Sequence, residues 1–215
     1  NEVIYTGELR GIVELVQFNA IEFHGWGAPA MRPAAPDWLV FDLDPDASLA
    51  FAAVIEAAQE VREALQRLDL RSFVRTTGGK GLHVVVPLEP HADWDTAKGF
   101  AHALAATLAA ARPDRYVAQM SKARRKGRVF IDYLRNGRGS TAVLPYSPRA
   151  RAGTTVAMPL DWRDLAKLDP QDFTVRTVPA LLKRRRRDPW VDFLSLRQRL
   201  PALAEPASAR RRRSS

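Results

Sequence analysis

The stretch that decides the fold spans residues 38–44 and reads Trp38-Leu39-Val40-Phe41-Asp42-Leu43-Asp44. Side chains alternate between the two faces of a β-strand, so the apolar residues at 39, 41 and 43 share one face while Asp42 and Asp44 share the other. Two like charges on one face repel each other unless a cation neutralises them, and carboxylate oxygens favour Mg²⁺ or Mn²⁺. The pattern therefore predicts a strand that ends in a metal site, with a solvated acidic turn as the alternative.

The elements predicted after this strand follow the order of a split βαβ unit. Hydrophobic periodicity predicts a helix over 51–68, strands over 71–76 and 82–88, a helix over 93–111 and a strand over 128–134. In the ferredoxin-like fold with this order, the third strand lies antiparallel to the first and beside it. We therefore expect His83 to lie beside Asp42 and Asp44. Asp132, in the fourth strand, then joins them on the sheet face that the helices leave uncovered.

The remaining patterns predict shorter elements on either side of this unit. They indicate a helix over 7–20, strands over 21–26 and 141–144, and helices over 160–168, 178–187 and 189–200. Proline, alanine and serine dominate residues 201–215, which also contain the run Arg210–Arg213. This composition predicts a disordered basic tail.

The overall composition is that of a globular domain. Of the 215 residues, 46% are hydrophobic and 27% are charged, as is typical of soluble proteins. No apolar run reaches the roughly 20 residues of a membrane-spanning helix, so we expect no membrane partner. The sequence contains no cysteine, which excludes disulfides and thiolate-bound zinc and is compatible with a cytoplasmic location. Any metal must therefore bind to oxygen or imidazole.

Basic residues are concentrated in two parts of the chain. Residues 1–111 carry 8 Lys/Arg and 15 Asp/Glu, a net charge of −7. Residues 112–151 carry 11 Lys/Arg and 2 Asp/Glu, and residues 176–215 carry 12 Lys/Arg and 3 Asp/Glu, so each of these two segments has a net charge of +9. This asymmetry is typical of proteins that bind nucleic-acid phosphates, although a GC-rich genome would also enrich arginine. The residues predicted to bind nucleic acid lie in the loop before the fourth strand: Lys122, Arg124, Arg125, Lys126 and Arg128.

A glycine-rich turn leads into the third strand and reads Thr77-Gly78-Gly79-Lys80-Gly81-Leu82-His83. Closely spaced glycines allow backbone N–H groups to face an anion, and Lys80 adds a positive charge. The turn differs from a P-loop, because its glycines precede a strand and not a helix. An ordinary hairpin turn is the alternative, but the carboxylates expected nearby favour a triphosphate site. Its candidate residues in this segment are Gly79, Lys80, Gly81 and His83.

Two further features bear on the same site. Asp132 lies inside an apolar strand, where a carboxylate needs a cation, so it binds either the metal or an arginine of the preceding loop. Arg149 and Arg151 follow the predicted fifth strand and are candidates for contact with phosphate, with a solvated loop as the alternative. Three carboxylates beside a triphosphate site are the arrangement expected for two-metal nucleotidyl transfer.

Three motifs of the chain resemble those of archaeo-eukaryotic primases. They read Val40-Phe41-Asp42-Leu43-Asp44-Pro45, Thr77-Gly78-Gly79-Lys80-Gly81-Leu82-His83 and Phe130-Ile131-Asp132-Tyr133-Leu134-Arg135-Asn136. From about residue 5 to 200 the sequence is similar to the polymerase domain of bacterial DNA ligase D, an enzyme of non-homologous end joining. The resemblance implies an α+β primase-polymerase core with a ferredoxin-like or RRM-like split βαβ sheet and C-terminal helices.

The resemblance also implies roles for individual residues and partners. The residues implied to be catalytic and to bind two Mn²⁺ or Mg²⁺ ions are Asp42, Asp44 and Asp132. Those implied to surround an incoming NTP or dNTP are Thr77, Lys80, His83, Arg149, Arg151 and His24. The implied DNA substrate is an end with a 3′ primer, in the bacterial cytoplasm at the nucleoid. The implied partners are ligase and nuclease modules and a Ku-type end-binding protein.

The same resemblance divides the chain into four parts. Residues 1–37 would be the remnant of an N-terminal α/β platform whose first section is missing, and residues 38–160 the catalytic core. Residues 161–200 would be a C-terminal helical part of the same domain, and residues 201–215 the tail. In the family, the missing section grips the 5′ phosphate and the template.

Two other functions are compatible with parts of the sequence. A haloacid-dehalogenase-like phosphatase also carries Phe-Asp-Leu-Asp on its nucleophile strand, but it expects Gly-Thr where this chain has Pro45-Asp46, and it expects a parallel sheet. A non-catalytic RNA-recognition module has the same element order, but it needs exposed aromatic residues on the central strands. Because those positions hold Asp42, Asp44 and His83, the sequence favours the polymerase.

Overall fold

The computed structural model describes residues 5–201, so the predicted tail lies outside the described residues from Ala202 onward. Within this range the α-helices are Leu9–Gln17 (α1), Phe51–Gln66 (α2), Trp94–Ala111 (α3) and Val178–Arg184 (α4). The strands are His24–Trp26 (β1), Trp38–Pro45 (β2), Phe73–Thr76 (β3), Leu82–Pro87 (β4), Tyr116–Val117 (β5), Val129–Asp132 (β6), Thr141–Val143 (β7) and Pro159–Leu160 (β8). In the described part of the chain, no helix has the length and apolar character needed to cross a membrane.

Six of the strands form one sheet in the order β5-β6-β2-β4-β3-β8. Its four inner strands have the predicted order, and β2 is antiparallel to both of its neighbours, β4 and β6. The two outer strands were not predicted, because strands of two residues are too short to show a periodic pattern. The antiparallel pairing of β2 excludes the parallel sheet that a haloacid-dehalogenase-like phosphatase requires. The α+β class with a split βαβ core is therefore confirmed.

The main hydrophobic core lies between this sheet and the helices α2 and α3. The face of β2 formed by Leu39, Phe41 and Leu43 is fully buried in it, as the alternation predicted. Helix α2 contributes a stripe at helical spacing: Val54, Ala57, Ala58, Val61 and Leu65. Helix α3 begins where the side chain of Asp93 accepts a hydrogen bond from Thr96 N at 2.8 Å.

The second face of the sheet is free of helices, as predicted, but part of it is covered by a smaller core. This core contains Trp38, Val40, Phe73, Val85, Ala142 and Trp190. Phe193 packs against the same core, with its ring centroid 4.8 Å from that of Trp190. The segment 189–200 and the β1–β7 pair therefore cover this part of the face. The carboxylates lie next to the covered part.

The predicted fifth strand is confirmed as β7, which lies outside the large sheet and pairs with β1, with His24 opposite Val143. Two predicted helices in this region are wrong. The segment 189–200 is not a helix, and 162–167 is a 3₁₀ helix. Trp190 and Phe193 insert into the second core, and the side chain of Gln198 donates to the backbone carbonyls of Arg71 and Pro87, both at 2.9 Å. These contacts hold the segment against the sheet in an irregular conformation.

One side chain extends the hydrogen-bonding ladder of β2 beyond the end of β6. Asn136 is buried, and its amide accepts from Val40 N and donates to Val40 O, both at 2.8 Å. It also donates to Tyr133 O at 2.8 Å. Buried backbone groups need hydrogen-bond partners. The side chain of Asn136 therefore takes the place of a neighbouring strand opposite Val40, two positions before Asp42.

Candidate active site

The centre of the site is Asp42, because the sheet register brings two other predicted residues directly opposite it. His83 of β4 pairs with Asp42 on one side, and Asp132 of β6 pairs with it on the other. Asp44 lies two residues further along the same face of β2, opposite Phe130. The structure therefore brings the three carboxylates and His83 together, as the strand spacing predicted.

Two arginines neutralise much of this negative charge. Arg135 Nε lies 3.5 Å from Asp42 Oδ2 and 4.0 Å from Asp132 Oδ2, and Arg125 Nη1 lies 3.4 Å from Asp44 Oδ2. Among residues 5–201, no three acidic or histidine groups enclose a space that could hold a metal ion as they stand. The alternative predicted for Asp132, an ion pair with an arginine of the preceding loop, does not occur, because its nearest arginine is Arg135.

The pKa values of the carboxylates show how unevenly this neutralisation is distributed. Burial alone would raise the pKa of Asp42, but His83 and Arg135 hold it below its ordinary value. Burial and the charge of Asp42 raise the pKa of Asp44. The same two causes raise the pKa of Asp132, although its carboxylate accepts a hydrogen bond from Leu134 N at 2.7 Å. Asp44 and Asp132 therefore carry charge that the described residues leave only partly compensated, and a hard divalent cation suits these oxygen donors.

The glycine-rich turn is closed by its own threonine and packed against β2. Thr77 Oγ1 donates to Gly81 O and accepts from Gly79 N, both at 3.2 Å. A Cβ atom at Gly81 would lie 2.5 Å from Leu43 O, so only glycine allows this approach to the strand that carries the carboxylates. Gly78 has a φ of +67°, which glycine adopts without strain. The backbone N–H of Gly79, which we predicted to face an anion, is used inside the turn.

Arg149 and Arg151 both reach over this turn, although Arg149 is half-buried and Arg151 is exposed to solvent. Arg149 Nη1 donates to Thr77 O, and Arg151 Nη1 donates to Gly78 O at 3.2 Å. These hydrogen bonds attach both guanidinium groups to the turn that carries Lys80. A cavity of about 320 Å³ lies below them, and all eight predicted nucleotide-binding residues line it, together with Asp42 and Asp44. Asp132 is not among its lining residues.

His24 reaches the cavity from β1 and is held there by Glu22. Its Nε2 lies 2.9 Å from Glu22 Oε2, and the same carboxylate contacts Arg149 Nε at 3.1 Å. Glu22 also accepts a hydrogen bond from Ala150 N at 2.7 Å. The hydrogen bond with His24 and those from Ala150 and Arg149 lower the pKa of Glu22 to about 2. Sequence reasoning missed Glu22, although alternation over the predicted strand 21–26 puts it on the same face as His24.

The residues of the predicted nucleic-acid-binding loop differ in their exposure to solvent. Lys122, Arg124 and Lys126 are exposed, and Arg128 is half-buried. Arg125 differs because its guanidinium stacks 3.8 Å from the centre of the Phe130 ring and contacts Asp44. The Phe130 face that an RNA-recognition module would expose is therefore covered by a cation.

Sequence reasoning also missed two arginines that contact the predicted site residues. Arg135 lies three residues after Asp132 in the 3₁₀ segment Leu134–Asn136, so the spacing could have indicated it. Arg75 is fully buried in β3 and donates to His83. Its signal in the sequence is a single charged residue between the apolar and β-branched residues of a strand.

Comparisons with known proteins give one consistent result. The model of the family described as "LigD, primase-polymerase domain" matches residues 1–190. The multifunctional non-homologous end joining protein LigD of Pseudomonas aeruginosa is 41% identical over 195 residues, which are 90% of this chain and 23% of that protein. The LigD protein of Mycolicibacterium smegmatis is 39% identical over 170 residues, 75% of this chain and 21% of that protein. This chain thus spans about a quarter or less of the length of these two relatives.

A solved structure shows the same similarity in three dimensions. It is described as the polymerase domain from Mycobacterium tuberculosis ligase D in complex with DNA. The TM-score is 0.71 and the sequence identity is 31%, over 81% of this chain and 64% of that chain.

Proposed function

The chain belongs to the LigD primase-polymerase domain family, and we propose that it adds nucleotides to DNA 3′ ends during non-homologous end joining, by two-metal-ion catalysis. One observation carries the proposal. Asp42 lies between His83 and Asp132 in the sheet register, and the glycine-rich turn packs on the same strand. A carboxylate cluster and a cationic cavity therefore share one edge of the sheet.

In the proposed mechanism, Asp42, Asp44 and Asp132 hold two Mn²⁺ or Mg²⁺ ions. Such ions would activate the 3′ hydroxyl and stabilise the departing pyrophosphate. The three carboxylates offer only oxygen donors, which supports this assignment. The raised pKa values of Asp44 and Asp132 also support it. A bound cation would compete with Arg125 and Arg135, which contact the same carboxylates.

The residues around the cavity would bind the nucleotide. Lys80, Arg149 and Arg151 supply positive charge for a triphosphate, and charge-assisted hydrogen bonds of this kind are among the stronger ones in proteins. Thr77 supplies a hydroxyl, and His83 Nε2 lies at the carboxylate end of the same cavity. The positions of Arg149 and Arg151 are set before any nucleotide binds, because the turn carbonyls hold them.

DNA would bind along the loop before β6, through the exposed Lys122, Arg124 and Lys126 and the half-buried Arg128. The related polymerase domain of Mycobacterium tuberculosis ligase D was solved with DNA, which supports a DNA partner for this chain. By family membership we also propose that ligase and nuclease modules and a Ku-type end-binding protein act together with this domain.

Primer extension tests the proposal. Wild-type protein should extend a recessed DNA 3′ end with NTP or dNTP in the presence of Mn²⁺ or Mg²⁺. Asp42→Asn and Asp132→Asn should each slow extension at least a hundredfold, since each 1.36 kcal/mol of lost transition-state stabilisation costs about tenfold in rate. Asp114→Asn, at an exposed position outside the cluster, is the matched control and should extend normally. Wild-type rates in both cluster variants would contradict the assignment.

A further inference from the structure

Arg75 is a buried cation for which the proposed mechanism has no role. It lies in β3 with no exposed surface, between the indole rings of Trp38 and Trp190, whose centroids are 5.3 and 5.7 Å from its Cζ atom. Among the described residues no carboxylate forms an ion pair with it, and its Nη1 has no hydrogen-bond partner. Burial lowers the pKa of Arg75 to about 9, so the side chain is still charged at neutral pH.

Within residues 5–201, His83 is the one side chain with which Arg75 forms a hydrogen bond. Arg75 Nε and Nη2 lie 3.2 and 3.1 Å from His83 Nδ1, and β3 and β4 place the two residues directly opposite each other. A guanidinium has only donors, so Nδ1 must accept, and the proton of the imidazole must be on Nε2. That nitrogen lies on the other side of the ring, 3.4 Å from Asp42 Oδ1.

We infer that Arg75 is a positioning residue that holds His83 in the tautomer with its proton on Nε2. The imidazole then presents a donor, and no lone pair, to the carboxylates and the cavity. The consequence for the site rests on the proposed function: His83 then donates a hydrogen bond to the triphosphate and is excluded from the metal ligands. The hard oxygen character of the metal site would thus depend in part on a side chain that never touches the ion.

A purely structural role for Arg75 makes a different prediction. If the side chain only filled the space between the two indoles, an unbranched apolar residue of similar length would serve equally well, since buried charges are costly. The tautomer of His83 would then be independent of position 75. The two roles are therefore separated by a measurement on the imidazole and not by stability.

Nitrogen NMR of the ¹⁵N-histidine-labelled chain measures the tautomer directly, through couplings from the ring nitrogens to the carbon-bound ring protons. The sequence has four histidines, and His83→Gln identifies the signal by its loss. At one fixed pH near neutrality, wild-type His83 should show a protonated Nε2 and an unprotonated Nδ1. A wild-type ring with its proton on Nδ1 would overturn the inference without the use of any variant.

Three variants then test whether Arg75 is the cause. Arg75→Met should convert His83 to a mixture of tautomers, and Arg75→Lys, which also offers only donors, should restore the proton to Nε2. Phe73→Leu is the matched control, because it damages the same small core without touching the Arg75–His83 contact. An unchanged His83 spectrum in Arg75→Met, or the same change in Phe73→Leu, would overturn the inference.

Equilibrium binding of a nucleoside triphosphate connects the tautomer to the site. Arg75→Met should weaken binding about tenfold, the usual scale for a hydrogen bond to a charged group, but less than twofold when His83 is already glutamine. If the tautomer changes as expected while nucleotide affinity does not, the inference about Arg75 stands. In that case the proposed contact of His83 with the triphosphate is wrong.

Discussion

At the scale of single residues, the site combines three carboxylates with counter-ions that only partly compensate them. Asp132 shows this most clearly, because burial and Asp42 raise its pKa while its nearest cation, Arg135, is 4.0 Å away. A carboxylate whose pKa is raised by folding destabilises the folded state when it is charged. The arrangement is typical of a site in which function and stability conflict.

Asp132→Asn should therefore stabilise the protein in the absence of metal. Asparagine keeps the acceptor for Leu134 N and removes the buried charge, so the free energy of unfolding at pH 7 should rise by about 1 kcal/mol. Because folding raises the pKa of Asp132, this carboxylate does not destabilise the folded state at a pH below its pKa in the unfolded state. The destabilisation appears as the pH rises through its pKa in the folded state. The gain should thus shrink towards pH 4, as measured by urea denaturation in EDTA. Lower stability of the variant at pH 7 would show that the contact with Arg135 outweighs burial.

Arg125 is the second residue for which the structure predicts opposing effects. It stacks on Phe130 and contacts Asp44 at 3.4 Å, where a metal would also bind. Arg125→Gln should raise Mn²⁺ affinity about threefold, since a partly exposed ion pair contributes up to about 1 kcal/mol. Titration calorimetry without DNA or nucleotide measures this, with Arg124→Gln in the same loop as control. An equal gain in both variants would indicate a general charge effect and not a specific contact.

At the scale of elements, the turn after β3 packs directly against β2. Gly81 approaches Leu43 O so closely that a Cβ atom would lie 2.5 Å from this backbone oxygen. A Cβ atom at Gly79 would instead meet the flexible end of the Arg151 side chain first. Two neighbouring glycines of one turn thus differ in what surrounds them.

Gly81→Ala should lower the free energy of unfolding by about 2 kcal/mol, because a backbone oxygen cannot move aside as a side chain can. It should also weaken nucleotide binding, since the turn must separate from the strand that bears Asp42 and Asp44. Gly79→Ala is the matched variant and should cost less than half as much stability. Thermal unfolding and nucleotide titration of the two variants measure both effects. Equal losses would mean that the approach to Leu43 is not the constraint.

At the scale of the whole molecule, the exposed cations of the loop before β6 give the protein one strongly basic edge next to its carboxylates. The charge of the segment 112–151 is +9, against −7 for residues 1–111. Such a surface releases counter-ions when it binds DNA, so its affinity should fall steeply with salt.

Replacement of Lys122 and Lys126 by glutamine should reduce the slope of log affinity against log salt by about 2, because each phosphate that is no longer neutralised lowers the slope by about 0.9. The decrease in affinity should be similar for DNAs of different sequence, because phosphate contacts carry no sequence information. Lys167→Gln, in the segment Trp162–Lys167 that packs near α2, should leave the slope unchanged. Fluorescence anisotropy at several salt concentrations measures it. An unchanged slope in the double variant would place the DNA elsewhere.

The sequence alone determined the helices α2 and α3 and the four inner strands of the large sheet, because these elements are long enough to show a periodic pattern. Alternation over residues 38–44 was enough to put Asp42 and Asp44 on one face of a strand, and the order of elements was enough to put His83 and Asp132 beside Asp42. The roles of these residues in binding metal and nucleotide, and the division of the chain into four parts, stay predictions.

The tertiary structure alone decided what surrounds that cluster. The cover of the second sheet face by Trp190 and Phe193, the stacking of Arg125 on Phe130 and the contact of Arg75 with His83 have no local pattern. Each depends on how far the strands twist and where the C-terminal segment returns, since a side chain's partners in a folded core are set by packing between distant parts of the chain. Sequence periodicity shows which face a residue occupies, and only the packed structure shows what it meets there.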